Sequence, residues 1–135
     1  MIARFGWALV AASLLGGAPT SAVARSSLTP ESLNSFDGQK KTVALPNGES
    51  LAYLDIGRQG GAPVVLIHGY TDSARDWAPL APLLAPGFRL IIVDLRGHGA
   101  SSKPECCYTR FDFAYDIKLL LEALHIASAA KSKRV

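Results

Sequence analysis

The chain has 135 residues, 49% hydrophobic and 19% charged, a balance that excludes a disordered polar chain and suits one small domain with a modest core. The formal charge is only +3, and Lys131, Lys133 and Arg134 crowd the last five positions. With no basic stripe interleaved with aromatics, no nucleic-acid partner is expected. The His and Cys residues form neither a Cys-x-x-Cys pair nor a His-Glu-x-x-His motif, so no metal site is expected.

Taken in order, Met1 to Ala24 has the form of an export signal. Arg4 precedes a short apolar run from Phe5 to Leu15, and Ala22-Val23-Ala24 forms a small-residue cleavage pattern. The run is too short and glycine-broken to span a bilayer, which takes about 20 residues. The expectation is cleavage after Ala24, a periplasmic or extracellular location, and no stable membrane insertion. Residues 25–39 are polar, contain Pro30 and Gly38, and follow neither the helix nor the strand period, so they read as a lead-in.

A domain is expected over 40–135. Lys40–Leu45 and Ser50–Ile56 read as strands around Pro46-Asn47-Gly48-Glu49, because Asn-Gly between extended runs favours a hairpin. Leu51 and Tyr53 alternate onto one face, as an edge hairpin with one wet face requires. After Gly60-Gly61, the run Val64 to Ile67 has no polar face, which predicts an inner parallel strand covered on both sides. Ser73 to Leu84 carries Trp77, Leu80, Leu83 and Leu84 at helical spacing, broken by Pro79 and Pro82. This predicts a short or broken crossover helix that leads into a second buried strand, Leu90 to Val93.

Thr109 to Ile126 is the clearest helix. Phe113, Ile117, Leu120, Leu121 and Leu124 form its apolar stripe, Thr109 caps it, and Asp112 and Asp116 suit the positive end of its dipole. Ala127 to Arg134 reads as a polar connector. The alternation predicts an α/β fold, a mostly parallel sheet that opens with an antiparallel hairpin, and a further buried strand after the connector.

In such sheets ligands bind beyond the carboxyl ends of the strands, which singles out Gly69–Asp72 and Asp94–Ser101. Leu66-Ile67-His68-Gly69-Tyr70-Thr71-Asp72-Ser73, Trp77, Asp94-Leu95-Arg96-Gly97-His98-Gly99-Ala100-Ser101 and Lys103-Pro104 together resemble the amino-terminal half of an α/β-hydrolase, over about residues 40–135. The resemblance implies a partial α/β-hydrolase fold. It also implies hydrolysis of a small ester-like molecule by a Ser nucleophile, a His base and an acid, with no organic cofactor or metal. It assigns half of the oxyanion hole to the backbone N–H of Tyr70, shaped by His68 and Gly69. Independently, Gly69 lacks a Cβ and permits close approach to the backbone.

In that family the nucleophile sits in Gly-x-Ser-x-Gly after the next strand, followed by the acid and the base. No such motif occurs here, and Lys133-Arg134-Val135 resembles the start of the strand that leads to it. Nucleophile, acid and base are therefore expected outside these residues, and the chain alone is expected to be inactive. Epoxide hydrolases and haloalkane dehalogenases share the fold and use an Asp nucleophile; they often carry Pro where Thr71 stands, which favours the esterase-like reading. The alternative from another class is a non-catalytic exported half-domain or truncated remnant, which binds a partner or self-associates through an exposed sheet edge.

Asp94, His98 and Ser101 have the residue types of a triad, and His98 could pair with Asp94, but all three lie within one tight loop. They read instead as structural: Gly97 and Gly99 permit a reversal, Arg96 and Asp94 satisfy loop backbone, and Ser101 closes the turn. His68 reads as loop-fixing, because the family's base comes last in the chain. His125 reads as a helix-end cap, Trp77 as core, with Tyr70 and Trp77 the aromatics that could line a pocket. Cys106 and Cys107 read as two buried or half-buried thiols.

Overall fold

A computed structural model describes residues 28–126. The expected export signal (1–24), the connector from Ala127 and the strand start at Lys133 lie outside the described residues.

The lead-in expected over 25–39 is corrected in part, because helix α1 occupies Pro30–Gly38. Its cause is local. Thr29 accepts a hydrogen bond from the Ser32 N–H, the Ser32 hydroxyl accepts one from the Thr29 N–H, and Pro30 supplies a helical φ in the first turn. The helix buries only Phe36, so it shows no apolar period.

Strands β1 (Lys41–Ala44) and β2 (Ser50–Gly57) form the expected hairpin, in register from Lys41 opposite Tyr53 to Ala44 opposite Ser50. Gly48 turns it with φ 90°, where a side chain would be strained. Strands β3 (Ala62–Ile67) and β4 (Phe88–Val93) run parallel, joined by a 3-10 turn (Ala74–Trp77) and the short helix α2 (Ala81–Leu84). Helix α3 spans Arg110–Ala123, capped by reciprocal hydrogen bonds between Thr109 and Asp112.

The sheet is mixed, in the order β1-β2-β4-β3, with β2 antiparallel to β4. This order corrects two expectations. Strand β2 is interior: Ala52 and Leu54 are as buried as Leu51 and Tyr53, so no face of it is wet. Strand β3, expected to be inner, has a strand neighbour on one side only among the described residues, and Ile67 is 45% exposed. The physical reason is that β4, not β3, joins the hairpin to the crossover unit. An all-apolar run reports that both faces want cover but does not say which strands flank it.

Two cores follow from the pleat. Leu51 and Tyr53 of β2 and Ile91 and Val93 of β4 meet Leu119 and Leu120 of α3 on one face. Leu54, Leu90 and Ile92 meet Phe36 of α1, Ala74, Ala78 and Ala81 on the other, with Trp77 packed against them. The end of α3 is closed by His125 N–H donating to the Glu122 carbonyl and Ile126 N–H donating to that of Leu121, which buries Ile126. His125 pays for this geometry with φ 56°, a left-handed conformation that glycine adopts freely.

Across β2 and β4, Arg89 donates two hydrogen bonds to the Asp55 carboxylate, at 2.9 and 2.7 Å. These bonds hold the Asp55 carboxyl below its ordinary value of 3.8, against the opposing effect of burial. A lowered folded pKa means that this contribution is complete above the ordinary carboxylate range and is lost as pH falls through the lower value. Asp55→Asn should therefore cost about 1.5–3 kcal/mol near neutrality and flatten the acid side of the stability curve, measured by denaturant melts at several pH values. His125→Gly should raise stability by about 1 kcal/mol in the same melts; an unchanged midpoint would show that the left-handed residue carries no cost.

Candidate active site

The carboxyl ends of β3 and β4 point into neighbouring loops, and two buried carboxylates organise the loop after β4. Asp94, fully buried, accepts hydrogen bonds from the Ala74 N–H at 2.7 Å and the Ala100 N–H at 2.9 Å. The Lys40 ammonium lies 2.6 Å from the same carboxylate and 2.9 Å from Asp37. Burial raises the Asp37 carboxyl, but Lys40 and Arg75 together outweigh burial and hold it below its ordinary value. Gly99 closes over Asp94 with φ 49°, and a Cβ there would lie 2.2 Å from the carboxylate.

The second carboxylate is Asp116 of α3. It was expected to answer the helix dipole; instead it is fully buried and takes a two-pronged hydrogen bond from Arg96, both distances 2.6 Å. Asn47 of the β1–β2 turn also donates to it at 2.8 Å. Arg96 reaches the Cys107 carbonyl with its remaining arm, and pairing with Asp116 raises its pKa despite burial. Lys40, Asn47 and Asp116 are the residues that sequence reasoning missed. One pattern could have exposed Asp116: it shares a helix face with Phe113 and Leu120, and a carboxylate on a buried face needs a partner.

The loop after β3 is held by His68, a buried residue. The Leu95 N–H donates to its Nε2 at 3.0 Å, so the ring carries its proton on Nδ1, which donates to the Gly69 carbonyl at 2.7 Å. Both ring nitrogens are thus engaged with backbone. The peptide that joins Gly69 to Tyr70 is trans, so a carbonyl turned back onto His68 leaves the Tyr70 N–H facing the opposite way. That N–H meets no acceptor among the described residues. A Cβ added to Gly69 would meet nothing within 4 Å.

His98 rises from the Gly97–Gly99 turn with both nitrogens against carbonyls: Nδ1 lies 2.9 Å from Arg96 O and Nε2 2.5 Å from Tyr70 O. Ser101 donates from Oγ to the Asp94 backbone carbonyl at 2.5 Å and accepts from the Ala52 N–H. Asp94, His98 and Ser101 therefore do not form a relay: each side chain is bound to backbone or to Lys40, and not to another of the three. Tyr70, 77% exposed, lines a cleft of about 270 Å³ with Gly97, His98, Tyr108 and Phe113. A larger cleft of about 560 Å³ lies over Lys40, Asp72, Arg75 and Ala100. Trp77 lines neither.

The two cysteines depart from expectation. Cys106 and Cys107 are exposed and their sulfurs are bonded to each other. The bend that brings adjacent sulfurs together uses φ 74° at Cys107, a conformation that residue type does not announce. Among the described residues, no group of His, Cys, Asp and Glu could hold a metal ion, and no helix is long and apolar enough to cross a membrane.

With this geometry in view, the comparisons with known proteins converge. The family described as alpha/beta hydrolase fold matches residues 62–130, just over half of the chain. The non-heme chloroperoxidase of Streptomyces lividans is 38% identical over 89 residues, 65% of this chain and 32% of that protein. A solved structure from a group of epoxide hydrolases found in hot-environment metagenomes is 37% identical with a TM-score of 0.62, covering 64% of this chain and 30% of its own. A haloalkane dehalogenase variant from Bradyrhizobium elkanii is 35% identical with the same TM-score, covering 65% and 29%. The chain thus spans about a third of the length of these relatives.

Asp94→Ala should destabilise the protein by about 2–4 kcal/mol, because it leaves the buried Ala74 N–H without its acceptor and takes from the Lys40 ammonium the nearer of its two carboxylates. Replacing Lys40 by Met in the same variant should recover part of that loss. A thermal or denaturant melt in which Asp94→Ala matches the parent would contradict the role given to this carboxylate.

Proposed function

This chain belongs to the α/β-hydrolase fold family, and from that premise we propose that it forms the oxyanion-binding side of an enzyme that hydrolyses small ester-like molecules. The carrying observation is the Gly69–Tyr70 peptide at the carboxyl end of β3. Its carbonyl is held by His68, its N–H is without an acceptor among the described residues, and a Cβ on Gly69 would meet nothing within 4 Å. A preorganised N–H at such a place stabilises the negative charge that gathers on a carbonyl oxygen under attack, an effect worth about 10²–10³ in rate per donor.

In this reading a Ser oxygen attacks the ester carbon while a His takes its proton. The tetrahedral oxyanion rests on the Tyr70 N–H, the alcohol leaves with the proton, and water then releases the acid by the same steps in reverse. The Ser, its His and their acid would come from residues other than these 135, since no Gly-x-Ser-x-Gly occurs among them. Tyr70, His98 and Phe113 would face the substrate side of the smaller cleft. Export after Ala24 belongs to the same proposal, and an oxidising compartment would keep the exposed Cys106–Cys107 pair bonded.

A second reading, an Asp nucleophile that opens epoxides or displaces halide, has support in the names of the relatives above. Thr71, where such enzymes often carry Pro, weighs against it. The test uses the protein expressed from its native gene. Its intact mass, turnover of p-nitrophenyl acetate, and covalent addition of a fluorophosphonate probe are measured together. Ester turnover with one probe added per chain is the expected result. Turnover of an epoxide or haloalkane without labelling would move the assignment to an Asp nucleophile. A folded protein that turns over none of the three would overturn the enzymatic reading in favour of a binding module.

A further inference from the structure

We propose that His98 is a positioning residue for the oxyanion donor: it holds the carbonyl of Tyr70 and thereby fixes the direction of the Tyr70 N–H. The proposal rests on the hydrolase reading above and adds a residue to it.

The Tyr70 Cα lies between two peptide planes. The plane before it ends in the Tyr70 N–H and is held through the Gly69 carbonyl, 2.7 Å from His68 Nδ1. The plane after it begins with the Tyr70 carbonyl, 2.5 Å from His98 Nε2. Peptide planes are rigid, so fixing both leaves the two soft dihedrals of Tyr70 little freedom. Little else restrains this residue. Its side chain is 77% exposed, and the turn hydrogen bond beside it, from the Asp72 N–H to the Gly69 carbonyl, is long at 3.4 Å.

His98 is itself well anchored. Its N–H donates to the Leu95 carbonyl, its own carbonyl accepts from Ser101, and Gly97 donates across the turn to Ser102. Arg96, two residues earlier, is bound on both prongs to buried Asp116. The ring packs between His68, 5.1 Å away between centroids, and Phe113, 6.3 Å away. Both neighbours of its nitrogens are carbonyls, which only accept. A neutral ring can donate to only one of them, and the proposal gives the proton to Nε2, whose contact with Tyr70 is the shorter of the two. An exposed donor loop is in this way tied to the rigid loop after β4. A donor already aimed needs no reorganisation when charge develops, which is where such sites gain their rate.

The test uses the protein expressed from its native gene, with two substitutions and one spectrum. His98→Phe keeps a flat ring and removes the donor; kcat on p-nitrophenyl acetate should fall about 10- to 100-fold with KM nearly unchanged, the signature of a misdirected transition-state contact. His98→Gln restores an N–H donor and should recover most of that loss, which a purely structural role would not produce. In the unsubstituted protein, ring 15N NMR should show Nε2 of His98 protonated. A bare Nε2, or a His98→Phe protein with full kcat, overturns the proposal and leaves the hydrolase reading standing. An unsubstituted protein without ester turnover overturns that reading, and this proposal with it.

Discussion

Three segments that are distant in sequence meet on one buried carboxylate. Asp94 receives the ammonium of Lys40 just after α1, the N–H of Ala74 at the start of the crossover, and the N–H of Ala100 in its own loop. A fully buried carboxylate is costly to desolvate, and it is tolerated here because each oxygen has partners, one of them charged. The geometry that results is exclusive: there is room for Gly99 and for no larger residue. Withdrawing the ammonium leaves the carboxylate without its counter-charge and withdrawing either N–H leaves an oxygen short of a donor, so the loop after β4 is held in place as a unit.

Asp116 repeats the device from the opposite face of the sheet. Through Arg96 it joins α3 to the same loop, and through Asn47 it reaches the β1–β2 turn. The stretch from Leu95 to Ser101 is thus suspended between two buried acids, one reached from each side. That rigidity matters because this stretch supports its more exposed neighbour: Leu95 engages His68, and His98 engages Tyr70. Packing of Tyr70 itself contributes little, so the order of the β3 loop is borrowed from the loop after β4.

Much of the fold could be read from the residues. Asn47-Gly48 marked the hairpin, Pro79 and Pro82 the broken crossover, and Thr109 the start of α3, because each acts through local backbone preference. What escaped depends on contacts between distant segments. Helix α1 escaped because its stabilisation comes from caps at Thr29 and Ser32 and not from an apolar stripe. The place of β3 at the outside of the described sheet escaped because facial burial and lateral pairing are separate constraints. Pro63, which has no N–H to give to a ladder, was the one local hint. At the site, the loop residues stood out by type and spacing, but their partners did not. Nothing local ties Asp116 to Arg96 or Lys40 to Asp94; the sheet brings those pairs together across 20 and 54 positions.

The strand order also governs how the chain reaches this state. Strands β2 and β3 are consecutive, with only residues 58–61 between them, yet they are not partners, because β4 lies between them. A ribosome delivers β2 and β3 first, and the hairpin they could form with each other is the nearest competitor to the native pairing. The central strand arrives last and must enter a gap that the earlier two leave open. Closing that gap requires contacts of long sequence separation, and such pairings form slowly as a rule and leave apolar strands exposed meanwhile. The same insertion brings Asp94 to the end of β4, where its N–H donates to the Ala52 carbonyl of β2 and its carboxylate reaches Lys40 and Ala74.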